Sequence, residues 1–303
     1  MQAVQTVTER ATERLDWERD GQGWPHRECS RFVNAAGLRW HVQQMGCTGA
    51  AMPAPWALLI HGTGAATHSW RGLMPLMAAH FNVLAIDLPG HGFTAMGPAT
   101  QMSLPGMAQA LGSLLVATKV APQLIVGHSA GAAIGARMSL DGHTAGATLV
   151  SLNGALLPLG GLPGVLFPPV AKLMAKVPFV PSLFARRAAD AAAVRRLIEG
   201  TGSTLDATGA ELYGRLLRSP GHAAGALAMM ANWDLRPLER DFPRLKTRLT
   251  LVAGANDRAV PPGQARRVQA LVPGARLVVL DGLGHLAHEE RPDVLAAEVL
   301  KGC

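Results

Sequence analysis

The sequence predicts an α/β fold: a mostly parallel central sheet flanked by helices, with one inserted helical cap. Short apolar runs alternate with helix-like segments along most of the chain, and several runs are apolar throughout, as strands buried on both faces require. Between about residues 155 and 240, helical stretches rich in proline, glycine and leucine replace the strand signals. We therefore predict an N-terminal extension over 1–30, a core over 31–154 and 241–303, and a helical cap over 155–240.

The strands follow from these runs in chain order. The run RFVNAAGLRWHVQQMG (31–46) predicts two short strands about a turn at Ala36-Gly37. Further strands are predicted in WALLI (56–60), NVLAID (82–87), QLIVG (123–127), ATLVSLN (147–153), RLTLVAG (248–254) and ARLVVLDG (275–282). Helices are predicted between them in SWRGLMPLMAAH, SLPGMAQALGSLLVAT, AGAAIGARMSLDG, PGQARRVQALV and PDVLAAEVLKG. Residues 1–24 are charged and weakly patterned, which predicts a frayed helix or tail.

Composition limits the class of protein. Of the 303 residues, 49% are hydrophobic and 16% are charged, which indicates a large buried core and excludes disorder. No apolar run reaches the roughly 18–20 residues of a membrane span, and no signal peptide is apparent. The three cysteines, Cys29, Cys47 and Cys303, are too few and too scattered for a disulfide framework or a zinc site. We expect a cytoplasmic protein without a bound metal.

The net charge of +7 raises the question of nucleic acid. No block of five or six like charges occurs, and aromatic residues are only 5% of the chain, with a single tyrosine. Basic arms and stacking platforms are therefore missing, and we expect no nucleic-acid partner. The charge is typical of a soluble basic protein, or of one that attracts anionic membranes or carboxylate-bearing ligands.

The stretch LIVGHSAGAA (124–133) carries the candidate nucleophile, Ser129. It combines a strand end, a serine between two glycines and a helix start, so a tight turn would expose the hydroxyl beside the N–H groups of the helix. Gly127 and Gly131 are expected because a Cβ at either position would crowd the turn. A serine that caps helix 130–140 has the same pattern, and the motif alone does not separate the two.

An acid and a base are needed to activate a serine hydroxyl. The candidate base is His285, which follows the last predicted strand in LVVLDGLGH; its competitor His288 is predicted to be an early-helix surface residue. The candidate acid is Asp257, just beyond strand 248–254, although an aspartate in a turn before two prolines is also common. The alternative acid position, after the preceding strand, holds Asn153, which favours Asp257.

An oxyanion hole completes the requirement. LLIHGTG (58–64) ends a buried strand in a glycine-rich loop, so we expect the backbone N–H groups of Thr63 and Ala130 to be the two donors. His61 is predicted to stabilise this loop without taking part in proton transfer. The four elements occur in the chain order that serine hydrolases of this fold use.

With these motifs, the sequence from about Arg31 to the C-terminus resembles the α/β-hydrolase superfamily. DLPGHGFT (87–94) matches the loop before the nucleophile strand, and GHSAG, GANDRAVP and GLGHLAHEERP match the positions of nucleophile, acid and base. The chain resembles more narrowly the magnesium-chelatase accessory hydrolases of bacteriochlorophyll biosynthesis. That resemblance lies in WPHRECSRFVNAAGLRWHVQQMG, HGTGAATHSWR, GHSAGAAIGARM, LFPPVAKLMA, LIEGTGSTLD and AMMANWDLRPLERD, and implies a pathway in phototrophic bacteria.

The cap is expected to select the ligand. Residues 158–184 are rich in Leu, Pro, Phe, Val and Met, which is typical of cap-to-core packing and equally of an apolar pocket above Ser129 for a hydrophobic ring system. Basic residues exceed acidic ones by four within 155–240, a balance that suits propionate-bearing tetrapyrroles, anionic lipid or solvated helix faces. The segment 157–180 is also a candidate for peripheral membrane contact, although its prolines interrupt any amphipathic helix.

The sequence thus predicts a cofactor-free serine hydrolase with Ser129, Asp257 and His285 as its triad. The resemblance implies a hydrophobic, tetrapyrrole-related substrate. The alternative is a non-catalytic tetrapyrrole-binding or magnesium-chelatase accessory protein on a hydrolase fold, with chelatase subunits as partners.

Overall fold

An eight-stranded sheet forms the centre of the computed structural model, which describes residues 13–48, 54–158, 177, 180–187 and 189–303. The strands are β1 (Ser30–Ala35), β2 (Leu38–Met45), β3 (Trp56–Ile60), β4 (Asn82–Ile86), β5 (Pro122–His128), β6 (Thr148–Leu152), β7 (Leu249–Gly254) and β8 (Arg276–Leu280). Their order in the sheet is β1-β2-β4-β3-β5-β6-β7-β8. The pairs β1–β2 and β2–β4 are antiparallel and the other pairs are parallel. The predicted α/β class is confirmed.

The register of the parallel strands aligns their carboxyl ends. Ile60 at the end of β3 pairs with Gly127 of β5, and Leu152 at the end of β6 pairs with His128 and Val252. The loops that follow these strands therefore emerge at one edge of the sheet, which is where open α/β sheets bind their ligands.

Helices connect the strands and cover both faces of the sheet. They are α1 (Trp17–Asp20), α2 (Leu73–Met77), α3 (Leu104–Thr118), α4 (Ala130–Leu140), α5 (Val180–Arg187), α6 (Ala191–Gly200), α7 (Ala207–Leu217), α8 (Pro220–Ala231), α9 (Arg236–Asp241), α10 (Gly263–Leu271), α11 (Ala287–Glu290) and α12 (Pro292–Lys301). The helix predicted in SWRGLMPLMAAH is shorter than expected, because Gly72 separates a 3-10 turn at Thr67–Trp70 from α2.

Alternate residues of β3 show how the core is divided. Leu58 and Ile60 pack into a cluster with α3 and α4, whereas Ala57 and Leu59 pack on the opposite face with α2 and α12. All four side chains are fully buried, as expected for a strand covered on both faces. None of the helices within the described ranges is long and apolar enough to cross a membrane.

The N-terminal segment corrects one prediction. Residues 13–24 are packed against the core and do not form a frayed tail: Trp24 is only 2% exposed, and its Nε1–H donates to Thr67 Oγ1 at 3.1 Å. The ring of Trp17 makes edge contacts with Phe32 and Phe93, at centroid distances of 5.7 and 4.8 Å. Two tryptophans among many charges give too sparse a pattern to predict this packing. Residues 1–12 lie outside the described part.

The insertion leaves the core after β6 and returns before β7. Its described helices are α5 to α9. Most of the apolar stretch predicted to roof a pocket (158–184), and to contact membranes (157–180), lies outside the described residues, so both interpretations stay predictions.

Candidate active site

Ser129 lies at a sharp turn between β5 and α4. Its backbone has φ 51° and ψ −118°, a conformation that is costly for a residue with a Cβ and that is typical of functional sites. The two glycines permit the turn: a Cβ at Gly131 would lie 2.1 Å from the Ile60 carbonyl oxygen, and one at Gly127 would lie 2.5 Å from the backbone of Ala132. The Ser129 side chain makes no capping hydrogen bond to α4, which disfavours a simple helix-capping role.

Asp257 and His285 are brought together across neighbouring loops. His285 Nδ1 lies 2.8 Å from Asp257 Oδ2, and both residues are largely buried, at 8% and 5% exposure. Asp257 Oδ1 accepts the backbone N–H groups of Ala259 and Val260, each at 2.8 Å. Both carboxylate oxygens of Asp257 therefore have hydrogen-bond partners, which fixes the carboxylate in place. The carboxylate in turn orients the imidazole of His285.

Asn153 is a further polar residue of this cluster, and its contribution was not predicted. It follows β6 with φ 49°, and its Nδ2 donates to Asp257 Oδ2 at 2.8 Å and to the Gly284 carbonyl oxygen at 3.2 Å. The residue that occupies the alternative acid position therefore contacts the acid itself. An asparagine after a buried strand was the available signal, because such a side chain must find polar partners.

The glycine-rich loop after β3 approaches Ser129 closely. A Cβ at Gly62 would lie 2.9 Å from the Cβ of Ser129, so the backbone of this loop borders the serine. The N–H groups of Thr63 and Ala130 donate no hydrogen bond to another described residue. Thr63 Oγ1 is 3.4 Å from Met229 Sδ on α8, so the insertion also contacts this loop.

Two histidines stabilise the same loop. His61 Nδ1–H donates to the Gly62 carbonyl oxygen at 2.7 Å, and its Nε2 accepts from the Leu88 amide at 2.9 Å, as its predicted bracing role requires. His222 was not assigned a role from the sequence. Its Nδ1 accepts the Gly92 N–H at 3.0 Å, so Nε2 carries the proton that it shares with the Gly64 carbonyl oxygen at 3.1 Å.

Burial keeps these two rings neutral. Desolvation lowers the pKa of His61, against the opposing charge of Asp87, and lowers the pKa of His222 to about 4. Neutral rings suit their positions, because each uses one nitrogen as an acceptor, which protonation would remove.

His288 corrects another prediction. It begins the chain's last helical region but is fully buried, with its ring 4.4 Å from that of His128 and 4.8 Å from that of Trp70. Burial lowers its pKa to about 3. His288 does lie in the short helix α11, but its side chain is turned toward the core and not toward solvent.

His128, the residue before Ser129, connects this turn to His285. His128 Nε2–H donates to the His285 carbonyl oxygen at 2.9 Å, and the two rings are 4.8 Å apart. No hydrogen bond joins the side chains of Ser129 and His285 in the described structure, and such bonds often shorten only when substrate binds. No group of three or more potential metal ligands occurs among the described residues.

Comparisons with known proteins identify the family of the chain. A profile of the alpha/beta hydrolase family matches residues 57–298. A Rhodobacter capsulatus protein called magnesium-chelatase 30 kDa subunit is 37% identical over 277 residues, covering 91% of this chain and 95% of its own.

Solved structures show the same fold. An alpha/beta hydrolase fold protein from Burkholderia ambifaria superposes with a TM-score of 0.74 at 22% identity, covering 90% of this chain and 97% of that one. The enol-lactonase from Burkholderia xenovorans gives 0.70 at 21% identity, over 90% and 99% of the two chains. The chain therefore belongs to the alpha/beta hydrolase family.

Proposed function

We propose that this protein is a cofactor-free serine hydrolase in which Ser129 is the nucleophile, His285 the general base and Asp257 the acid that orients it. One observation carries the proposal. A serine held at a strained turn shares the carboxyl edge of the sheet with a buried aspartate–histidine pair hydrogen-bonded at 2.8 Å. A backbone conformation of this kind costs free energy, for which the surrounding structure has to compensate. Nucleophile elbows adopt such a conformation because it exposes the serine hydroxyl.

The proposed reaction is the hydrolysis of an ester. His285 Nε2 takes the Ser129 Oγ proton as Oγ attacks the carbonyl carbon, and the resulting oxyanion accepts the N–H groups of Thr63 and Ala130. His285 then returns the proton to the departing alcohol, which leaves an acyl-enzyme. A water molecule, deprotonated by the same imidazole, releases the carboxylic acid and restores the serine.

The carboxylate of Asp257 makes this histidine a suitable base. It accepts Nδ1–H of His285, which leaves Nε2 free of hydrogen and able to take the serine proton. The Asn153 amide and two backbone N–H groups also donate to the carboxylate, which fixes its plane. A carboxylate held in this position stabilises the imidazolium that forms during attack.

The proposed substrate is hydrophobic and related to tetrapyrroles. Support comes from the 37% identity to a protein called magnesium-chelatase 30 kDa subunit and from the apolar, net basic composition of 155–240. An ester of a propionate-bearing ring system would combine the apolar and anionic features that this composition suits. A cytoplasmic location is part of the proposal.

The second candidate is a non-catalytic role as a tetrapyrrole-binding or magnesium-chelatase accessory protein. The observation that favours it is the name of the Rhodobacter capsulatus relative, which describes a subunit and not a hydrolase. In that case chelatase subunits would be the partners, and the triad would be dispensable.

Fluorophosphonate labelling followed by intact-mass measurement tests the proposal. We expect one adduct on the wild type and on Ser113→Ala, which removes an exposed serine hydroxyl of α3, and none on Ser129→Ala. Asp257→Asn should slow labelling by about 10⁴-fold if the analogy to established triads holds. A folded wild type that takes no label would contradict the hydrolase.

Porphyrin titration of Ser129→Ala, followed by a magnesium-chelation assay of the same variant, then separates the two candidates. A hydrolase should bind porphyrin methyl esters without cleaving them once the nucleophile is removed. If Ser129→Ala still supports magnesium chelation in a reconstituted assay, the accessory role is favoured over the hydrolase.

A further inference from the structure

The connection between α6 and α7 crosses from the insertion to the core. We call its residues, Thr201–Ser203, the crossing segment. It lies between two loops of the core, which we call the acid loop (Asn256–Arg258) and the base loop (Gly284–Leu286). The insertion thereby reaches the acid–base pair itself and not only the space above Ser129.

On one side, the crossing segment contacts both neighbours of Asp257. The Arg258 N–H donates to the Thr201 carbonyl oxygen at 3.1 Å. Gly202 has φ 87°, and a Cβ there would lie 1.9 Å from the Asn256 carbonyl oxygen. Only glycine combines this conformation with so close an approach.

On the other side, it contacts both neighbours of His285. A Cβ at Gly284 would lie 2.3 Å from the carbonyl group of Gly202, so the two backbones are packed directly together. Ser203 Oγ accepts the Leu286 N–H at 2.8 Å, and Ser203 is only 1% exposed. This hydrogen bond is shielded from water, so its loss leaves a buried donor without a partner.

Apolar packing adds to the contact between the insertion and the base loop. The Leu286 side chain is 6% exposed and belongs to a cluster with Val194 and Ile198 of α6. The residue after the histidine is therefore fixed to the insertion by its backbone and by its side chain. A displacement of α6 would move the base loop with it.

We propose that Ser203 is a positioning residue for His285. Through Ser203, the position of the insertion relative to the core controls the geometry of the His285–Asp257 pair. Its hydroxyl holds the Leu286 backbone, and this fixes the direction in which the His285 imidazole leaves the chain. A ligand that lifts the insertion would loosen the His285–Asp257 hydrogen bond. A misplacement of about 1 Å at a reacting group costs roughly 100-fold in rate, so a contact of this kind suffices as a control.

The test compares Ser203→Ala with Ser219→Ala. Ser219 is the matched control because it is also a buried serine of the insertion, accepting the His222 N–H at 3.3 Å, away from both loops. The decisive readout is the far-downfield proton resonance of a histidine N–H donated to a carboxylate, recorded by NMR. The His41–Asp87 pair, with a 2.8 Å separation, supplies an internal reference, and His285→Gln assigns the other signal.

We expect Ser203→Ala to broaden or remove the His285 resonance and leave the reference resonance intact. Fluorophosphonate labelling of Ser129, which rests on the proposed function, should slow about 10- to 100-fold. Ser203→Cys, with a weaker acceptor of similar size, should fall between Ser203→Ala and the wild type in both readouts. Ser219→Ala should leave both resonances intact.

The two readouts separate the two proposals. A wild type that takes no label, but whose His285 resonance is lost in Ser203→Ala, overturns the hydrolase and retains the positioning role. A His285 resonance that survives Ser203→Ala, or that Ser219→Ala removes equally, overturns the positioning role whatever the labelling shows.

Discussion

Acidification to pH 5 should destabilise this protein through its buried histidines. Six of them have a pKa lowered by burial, the largest cause in each case. They are His61, His68, His91, His128, His222 and His288. In the unfolded chain each would titrate near pH 6.5, so the unfolded state takes up protons that the folded state excludes. The stability that these residues contribute is present above pH 6.5 and is lost as the pH falls toward the folded pKa.

The magnitude follows from the size of the shifts. A histidine with a pKa of 6.5 unfolded and about 4 or less folded loses about 2 kcal/mol of stability between pH 8 and pH 5. His222, at about 4, and His288, at about 3, fall in this class, and the pKa of each of the other four histidines is shifted in the same direction. These two residues alone lose about 4 kcal/mol, which is a large fraction of the stability of a typical domain.

Glu289 acts in the opposite direction. Burial raises its pKa to about 7, so its stabilising contribution is full below pH 4.5 and is lost as the pH rises through 7. Between pH 8 and pH 5, protonation of Glu289 raises the free energy of unfolding by about 2–3 kcal/mol. Asp87, whose pKa is lowered, loses its contribution only below about pH 4 and does not enter this range. The loss from His222 and His288 exceeds this gain, and the other four histidines add to the loss, so the net effect of acidification is destabilising.

Urea unfolding followed by tryptophan fluorescence measures this loss at pH 8.0, 6.5, 5.5 and 5.0. The steepest fall should lie between pH 6.5 and pH 5. His288→Leu should flatten it by about 2 kcal/mol, because the ring has no hydrogen-bond partner among the described residues, whereas His80→Gln, an exposed site, should leave it unchanged. A free energy of unfolding at pH 5 equal to or higher than its value at pH 8 would refute the reasoning.

Three further changes test the packing of the site and its surroundings. Gly131→Ala should prevent correct folding, seen as loss of soluble protein, because its Cβ would lie 2.1 Å from a carbonyl oxygen of β3, whereas Ser129→Ala should fold normally. Trp24→Ala should cost about 3–5 kcal/mol in urea unfolding, and a loss below 1 kcal/mol would show that the N-terminal packing is weak. Asn153→Ala should slow fluorophosphonate labelling about 10-fold and lower the free energy of unfolding by about 1–3 kcal/mol, since two buried acceptors lose their donor; an unchanged labelling rate would contradict this.

The strands and the candidate site could be predicted because their patterns are local. A run such as WALLI is apolar at every position, and the fold buries both of its faces. GHSAG places Ser129 between glycines whose missing Cβ atoms the turn requires. The position of a polar residue just after a strand was enough to place Asp257 and His285 at one edge of the sheet.

Other features could not be predicted because they depend on contacts distant in sequence. Asn153 meets Asp257 across 104 positions, and nothing in its own surroundings indicates that partner. The burial of His288 depends on the rings of His128 and Trp70, whereas the two residues that follow it in sequence are acidic. A histidine directly before two acidic residues is more often exposed.

The insertion contacts three loops of the core. It leaves the sheet after β6, reaches the acid loop through Thr201 and Gly202 and the base loop through Ser203, and reaches the glycine-rich loop through His222 of α8. If the insertion only lined a ligand site, it would need none of these contacts, because its residues could then be exchanged without any effect on the loops of the core. Because both loops and the glycine-rich loop are held from the insertion, we expect an exchange of residues 155–240 for another family member's cap to abolish serine labelling. Exchanges that keep the crossing segment and His222 should preserve labelling while they change the ligands bound.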